Sequence, residues 1–320
     1  MLKKMSIKKI MVSTCAILIL LIIYLIPDNR SDLNLKNDDI EYTYNNITSV
    51  IYLIDKNDYV ARTNIVSCNC SEVDKAKDLI EGLVLGGKKS SIIPNGFRSI
   101  IPPDTSIKDI TLEDKILTID FSKELLDVPE NEEEKMLEAI IYTLTSINGI
   151  DKIIIKVEGE VLTNLPNSKK TLPSVLDRSY GINKDYELVT INNIDSYTVY
   201  YVNKYNDNNY YVPVTKYINS EDTERVKVII KELSSSPIYE TNLMSHLNAG
   251  AILNDYELIG NSLKLNFNEL LLNDINSNKI LEEVIYTIGL SMNDVYNDLE
   301  TVSFYVNDNE VYTLILSELE

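Results

Sequence analysis

The sequence predicts an α+β protein: two tandem β-β-α-β-β-α-β domains, each with helices packed on one face of a mixed sheet, after an N-terminal transmembrane helix. Three observations carry this. Residues 49–163 and 197–320 are divergent copies of one unit, each copy alternates strand-period with helix-period segments, and an uncharged apolar stretch follows a lysine-rich tip. The chain thus divides into a cytoplasmic tip and anchor (1–27), a spacer (28–48), a first domain (49–163), a connector (164–196) and a second domain (197–320). With 320 residues each copy is long enough to bury its own core, so residues 45–180 are expected to fold alone.

Four blocks keep their order between the copies, the second of them running from Ser99 through the strand that ends at Ser122. Val50-Ile51-Tyr52-Leu53-Ile54 returns as Val199-Tyr200-Tyr201-Val202, and Ser99 to Ile107 returns as Ser245 to Leu253. The strand Leu117-Thr118-Ile119-Asp120-Phe121-Ser122 returns as Leu263-Lys264-Leu265-Asn266-Phe267-Asn268. Ile141-Tyr142-Thr143-Leu144 is matched to Ile285-Tyr286-Thr287-Ile288, and Ile153–Val157 to Val302–Val306.

Lys3, Lys4, Lys8 and Lys9 precede the apolar run, whose residues 10–26 are near the lower length limit for a membrane span. A basic flank stays inside, so the bulk of the chain is expected outside the cytoplasm. A cleaved secretory signal and a lipid on Cys15 are the alternatives. The net charge of -19 argues against nucleic acid and anionic membrane surfaces as partners.

Within each copy the elements follow in order. Val50–Ile54 and Tyr59–Val66 read as an opening hairpin. Ser71, three residues before Asp74, starts a helix over 72–85 with Val73, Ala76, Leu79, Ile80 and Leu83 on one face. Ile107–Ile110 and Ile116–Phe121 pair through Glu113-Asp114-Lys115. A second helix begins among Glu132, Glu133 and Glu134, whose charges suit the helix dipole, and stops at Asn148-Gly149 before a strand at Ile153. The second copy repeats the first helix at Val226, Ile229, Ile230 and Leu233. Pro166, Pro173 and Gly181 mark the connector.

Ala139 to Ile153, continuing to Val157-Glu158-Gly159, resembles the signature of the GerM domain, the sporulation and spore germination family. Ile101-Pro102-Pro103-Asp104-Thr105 is similar to that family's I-P-x-G-T turn, with Asp104 in place of Gly. Ile119-Asp120-Phe121-Ser122 is similar to its V-D-F-S strand end. The second copy resembles the family more weakly, since Ile288-Gly289-Leu290 departs from the T-L-T core. The resemblance implies an envelope protein acting in sporulation and germination, and by analogy of shape a scaffold that assembles envelope or sporulation proteins.

The residues themselves point to no catalytic, metal or cofactor site. His246 is the sole histidine and aligns with Ile100, so a Ser-His-Asp arrangement has little to draw on. Asp120 becomes Asn266, which weakens the reading of a wall hydrolase with paired carboxylates. Gly86-Gly87-Lys88-Lys89 follows a helix and lacks phosphate-loop spacing. Asn206-Asp207-Asn208-Asn209 and Asn307-Asp308-Asn309-Glu310 read as turns rather than calcium loops. Cys68 and Cys70 read as two partly buried thiols, with a labile redox pair as the alternative. The tyrosine-rich hairpin of the second domain is the candidate partner contact, through Tyr201, Tyr211, Tyr200 and Tyr210. Binding of a small ligand or wall glycan, and association of copies of the chain, stay open.

Overall fold

The computed structural model describes residues 47–219, 224–235, 242–274, 278–296 and 298–319. The anchor, its flanking lysines, Cys15 and most of the spacer therefore lie outside the described residues. Among those described, no helix is long and apolar enough to cross a membrane.

The first repeat runs β1 (Thr48–Asp55), β2 (Val60–Val66), α1 (Glu72–Leu83), β3 (Phe97–Arg98), β4 (Ile107–Glu113), β5 (Ile116–Phe121), α2 (Glu133–Leu144), β6 (Lys152–Val157) and β7 (Glu160–Val161). The connector adds β8 (Asp185–Glu187). The second repeat runs β9 (Ile194–Tyr205), β10 (Asn208–Asn219), α3 (Arg225–Ser234), β11 (Leu253–Ile259), β12 (Ser262–Phe267), α4 (Glu282–Val295), β13 (Thr301–Val306) and β14 (Asn309–Ile315).

Each repeat divides its strands between two sheets instead of packing its helices on one face of a single sheet. The later strands form outer mixed sheets, β4-β5-β6-β7 and β11-β12-β13-β14, whose only parallel pairs are β5·β6 and β12·β13. The opening hairpins leave their repeats and join in a six-stranded sheet, β3-β1-β2-β10 with β9 and β8 also on β10. Residues 46–320 consequently form one compact unit. Residues 45–180, expected to fold alone, share this sheet with the second copy, because β2 finds its second neighbour in β10, at Arg62–Tyr211.

Local signals act as the sequence indicates. Ser71 caps α1 by accepting from the Asp74 amide at 3.2 Å. Asp114 and Lys115 both have positive φ, 48° and 62°, as a two-residue hairpin turn requires. Asn307 and Asp308 turn β13 into β14 the same way, at 49° and 66°. Asp104 has φ 64°, which explains why glycine suits that place in the I-P-x-G-T turn.

The helix α2 ends at Leu144, short of Asn148-Gly149, because the Thr145 hydroxyl and amide both bond back to the Ile141 carbonyl. Two tight turns follow, closed by Ser146 on Thr143 and Ile147 on Leu144. Gly149, with φ 90° and only the Glu72 side chain at 3.9 Å from a hypothetical Cβ, then redirects the chain into β6. Gly149→Val should therefore destabilise the protein by about 1–2 kcal/mol, through backbone strain alone. Chemical denaturation measures this; an unchanged midpoint would place the strained turn elsewhere.

The repeats correspond differently at the second helix than the sequence suggests. The Tyr52 amide donates to Thr143 Oγ1 at 2.9 Å and the Tyr200 amide to Ser291 Oγ at 3.0 Å. Thr143 therefore answers to Ser291 and not to Thr287, one helical turn earlier. A slip of four residues keeps the same helix face inward, so apolar spacing alone cannot detect it.

Two further expectations are corrected. Cys68 and Cys70 are joined by a disulfide bond between β2 and α1. The acidic start of α2 does more than favour the dipole: Glu133 accepts from the Asn167 and Ser168 amides, Glu134 pairs with Lys170 and Lys184, and Arg98 bonds Glu132 at 2.9 Å. The connector is thereby fastened along α2.

Candidate functional site at the junction of the repeats

The motif residues of each copy serve the fold. Asp120 Oδ1 accepts from the Gly159 amide at 2.9 Å, and Asn266 Oδ1 accepts from the Asp308 amide at 3.1 Å. Both fix the tight turn after the last core strand. Ser122 accepts from the Ser106 amide and Asn268 from the Ile252 amide, at 3.0 and 3.1 Å. Asp/Asn and Ser/Asn interchange there because each offers an acceptor oxygen of similar reach. His246 is exposed with φ 59° and makes no hydrogen bond or ion pair with any described residue.

The four candidate tyrosines do not form an outward surface. Tyr200, Tyr201 and Tyr210 are buried and Tyr211 is half-buried. Tyr201 donates to Glu232 on α3 at 2.8 Å, while Tyr211 packs on Tyr286. Tyr210 donates to Asp55 of the first repeat at 2.7 Å and meets Phe97 edge-on at 4.9 Å. Strand alternation would turn some of them to solvent, but the facing repeat and the helices cover both sides. Their contacts are within the chain.

At the junction the hairpins meet about a local two-fold relation. Arg62 pairs with Tyr211 across β2 and β10, and the next pair in register would be Val60 with Pro213. Pro213 has no N–H, so the ladder breaks there. Asn183 of the connector fills the gap: its Oδ1 accepts from the Val60 amide at 2.9 Å, and its Nδ2 donates to the Val60 and Pro213 carbonyls at 2.7 Å each. One side-chain amide replaces the missing backbone bonds. Its own backbone amide is held by buried Glu138, which pairs with Lys184 at 3.3 Å.

Beside this seam a polar chain crosses between the repeats. Tyr200 donates to Asp294 at 3.3 Å, so the 3.1 Å contact between Tyr52 and Tyr200 hydroxyls has Tyr52 as donor. Asp294 also receives Arg178 Nη1, and Arg178 Nε donates to Thr145 at 3.1 Å. The guanidinium lies 5.0 Å from the Tyr142 ring centre. Burial, then the Asp294 charge, pushes the Tyr200 hydroxyl well above the usual phenol range, so it remains a donor. Burial alone would lower Arg178, but Asp294 and the surrounding tyrosines more than offset it.

This chain floors a cleft of about 1010 Å³. It is lined by the turns that follow α2, including Asn148, by the last turns of α4, including Asn293, and by Arg62 and Arg225. The cleft is absent from the sequence reading because its parts lie far apart in the chain. Pro213 inside a strand was the available signal, since proline in a central strand demands a substitute partner for the broken ladder.

Comparison with known proteins finds the same tandem arrangement. The Germane family model, described as sporulation and spore germination, matches residues 46–163 and 198–312. The chain belongs to the Germane family. The spore germination protein GerM of Bacillus subtilis (strain 168) is 30% identical over 263 residues, spanning 80% of this chain and 70% of that protein. The solved structure of the tandem GerMN domains of the sporulation protein GerM from Bacillus subtilis superposes with a TM-score of 0.74 at 30% identity. It covers 82% of this chain and 92% of that one. The Germane repeats therefore occur as a tandem pair in both proteins.

Proposed function

We propose that this Germane protein is a membrane-anchored, extracytoplasmic and non-enzymatic component of sporulation and spore germination that helps assemble envelope proteins. Its kinship with GerM supports the pathway. Its anchor would be residues 10–26, with the N-terminus in the cytoplasm.

The observation that carries the assembly role is a loop presented ready for contact. Val189 and Ile191 are each 91% exposed, well above the next most exposed large apolar side chain among the described residues, Ile252 at 60%. Asn219 holds that loop with four bonds: its Oδ1 accepts from the Val189 and Thr190 amides at 2.7 and 2.9 Å, and its Nδ2 donates to the Thr190 and Asn192 carbonyls at 2.9 and 2.7 Å. A held loop loses little entropy on docking, which favours binding through its apolar tip. Asp120 and Asn266 act as turn caps, which supports a structural rather than a hydrolytic use of the motifs.

The test is to follow a fluorescent fusion in a spore-forming host through growth and starvation, with a photo-crosslinking residue at Val189 or Ile191. The expected result is signal at the division septum or engulfing membrane with crosslinks to envelope proteins during sporulation. Diffuse cytoplasmic signal, or crosslinks no different from those at an exposed control such as Lys88, would reject the reading.

A further inference from the structure

The chain has five arginines, and three of them, Arg62, Arg178 and Arg225, line the cleft between the repeats. In a protein of net charge -19 that carries far more lysine than arginine, this is a selection of side chain and not merely of charge. Arginine differs from lysine in its planar fork of N–H donors, which matches a carboxylate.

The acidic groups of the same cleft do not use up those donors. Asp294 is held by Arg178 and Tyr200, Asp151 by Lys115 at 3.3 Å, Asp177 by the Ser179 amide at 2.9 Å and Glu300 by Asn261 at 3.1 Å. Arg178 keeps Nη2 free after serving Thr145 and Asp294. Arg62 bonds the Leu319 carbonyl through Nη2 alone, and Arg225 bonds Asp195 through Nη2 at 3.0 Å. The side chains of Asn148, in the turns after α2, and Asn293, in the last turn of α4, also line the cleft and make no hydrogen bond with any described residue. Unused arginine donors, unused amides and a volume of about 1010 Å³ describe a site for a ligand larger than a simple ion.

We infer that the cleft binds a carboxylate-bearing sugar–peptide, the chemistry of cell-wall muropeptides. The arginine donors would take the carboxylate, and Asn148 and Asn293 the amide and hydroxyl groups. The outward placement proposed above supplies the source of such a ligand; the chemistry of the cleft stands apart from it.

The experiment is titration calorimetry on the full chain in detergent, with N-acetylmuramyl dipeptide as probe. The comparison ligands are the same compound with its carboxylate converted to amide, the free dipeptide, and chitobiose. Saturable binding of the acid is expected, at least about tenfold weaker for the amide, consistent with loss of one charged hydrogen-bonding group. Weaker binding by the free dipeptide and by chitobiose would show that both halves are read. Arg225→Gln, at a side chain that is 50% exposed, should weaken the acid severalfold with an unchanged melting midpoint. No binding of the acid at 5 mM (about fivefold above a ~1 mM limit), equal binding of acid and amide, or full affinity in the free dipeptide or chitobiose would overturn the inference. So would an affinity unchanged in both Arg225→Gln and Arg62→Gln. Because the assay uses purified protein, a cytoplasmic location would overturn the envelope reading while leaving this result in place.

Discussion

Replacing Gly96 by alanine is expected to destabilise the whole protein by about 3 kcal/mol. Two costs combine. Gly96 has φ 92°, where a side chain costs about 1–2 kcal/mol. The new methyl would also fall 2.6 to 2.9 Å from three ring carbons of Tyr205 in the other repeat. A planar ring cannot yield as a flexible chain end can, and overpacking of this kind costs about 1–3 kcal/mol. Gly159→Ala is the control, having φ 87° with nothing within 4 Å of the added carbon. It should show only the backbone cost. In a Tyr205→Ala background the Gly96→Ala penalty should shrink toward the control, a coupling that denaturant midpoints of the four proteins can measure. Equal penalties at Gly96 and Gly159 would mean that the repeats do not press together there.

Arg178→Met should cost about 3 kcal/mol for a different reason. It removes the cation from a pair whose Asp294 side chain is only 6% exposed, leaving a buried carboxylate with the Tyr200 hydroxyl as its chief remaining partner. Breaking one side of a buried pair costs about 3–5 kcal/mol, and the 26% exposure of Arg178 puts the expectation at the low end. Arg178→Met with Asp294→Asn should recover part of the loss, because no charge then remains buried. Urea unfolding distinguishes the cases. A double variant no more stable than Arg178→Met alone would show that packing of the arginine stem, and not the stranded charge, carries the effect.

What the sequence reveals here is what the chain does locally. The Ser71 cap, the Asp114-Lys115 and Asn307-Asp308 turns and the apolar stripes of α1 and α3 depend on neighbours within a few residues, so their patterns are readable. The central sheet depends on β2 meeting β10, about 150 residues later, and no local pattern announces that pairing. The tyrosines show the consequence. Tyr197 to Val202 is an almost unbroken apolar run, the mark of a strand buried on both faces, and reading it as alternating sends Tyr200 or Tyr201 outward. Tyr200 instead meets Tyr52, its own counterpart. Arg178 carried no signal at all, because a single arginine in a connector looks like any solvated charge until Asp294 is placed beside it.

The two Germane repeats are one body, sealed by Asn183, Tyr52–Tyr200 and Arg178–Asp294, with the cleft as a product of that seal. Calorimetric unfolding of residues 46–320 tests it most directly. The prediction is a single transition whose calorimetric and van't Hoff enthalpies agree, and which Asn183→Leu moves down without dividing. Two separable transitions in the unaltered protein, one unmoved by substitutions in the other repeat, would contradict it.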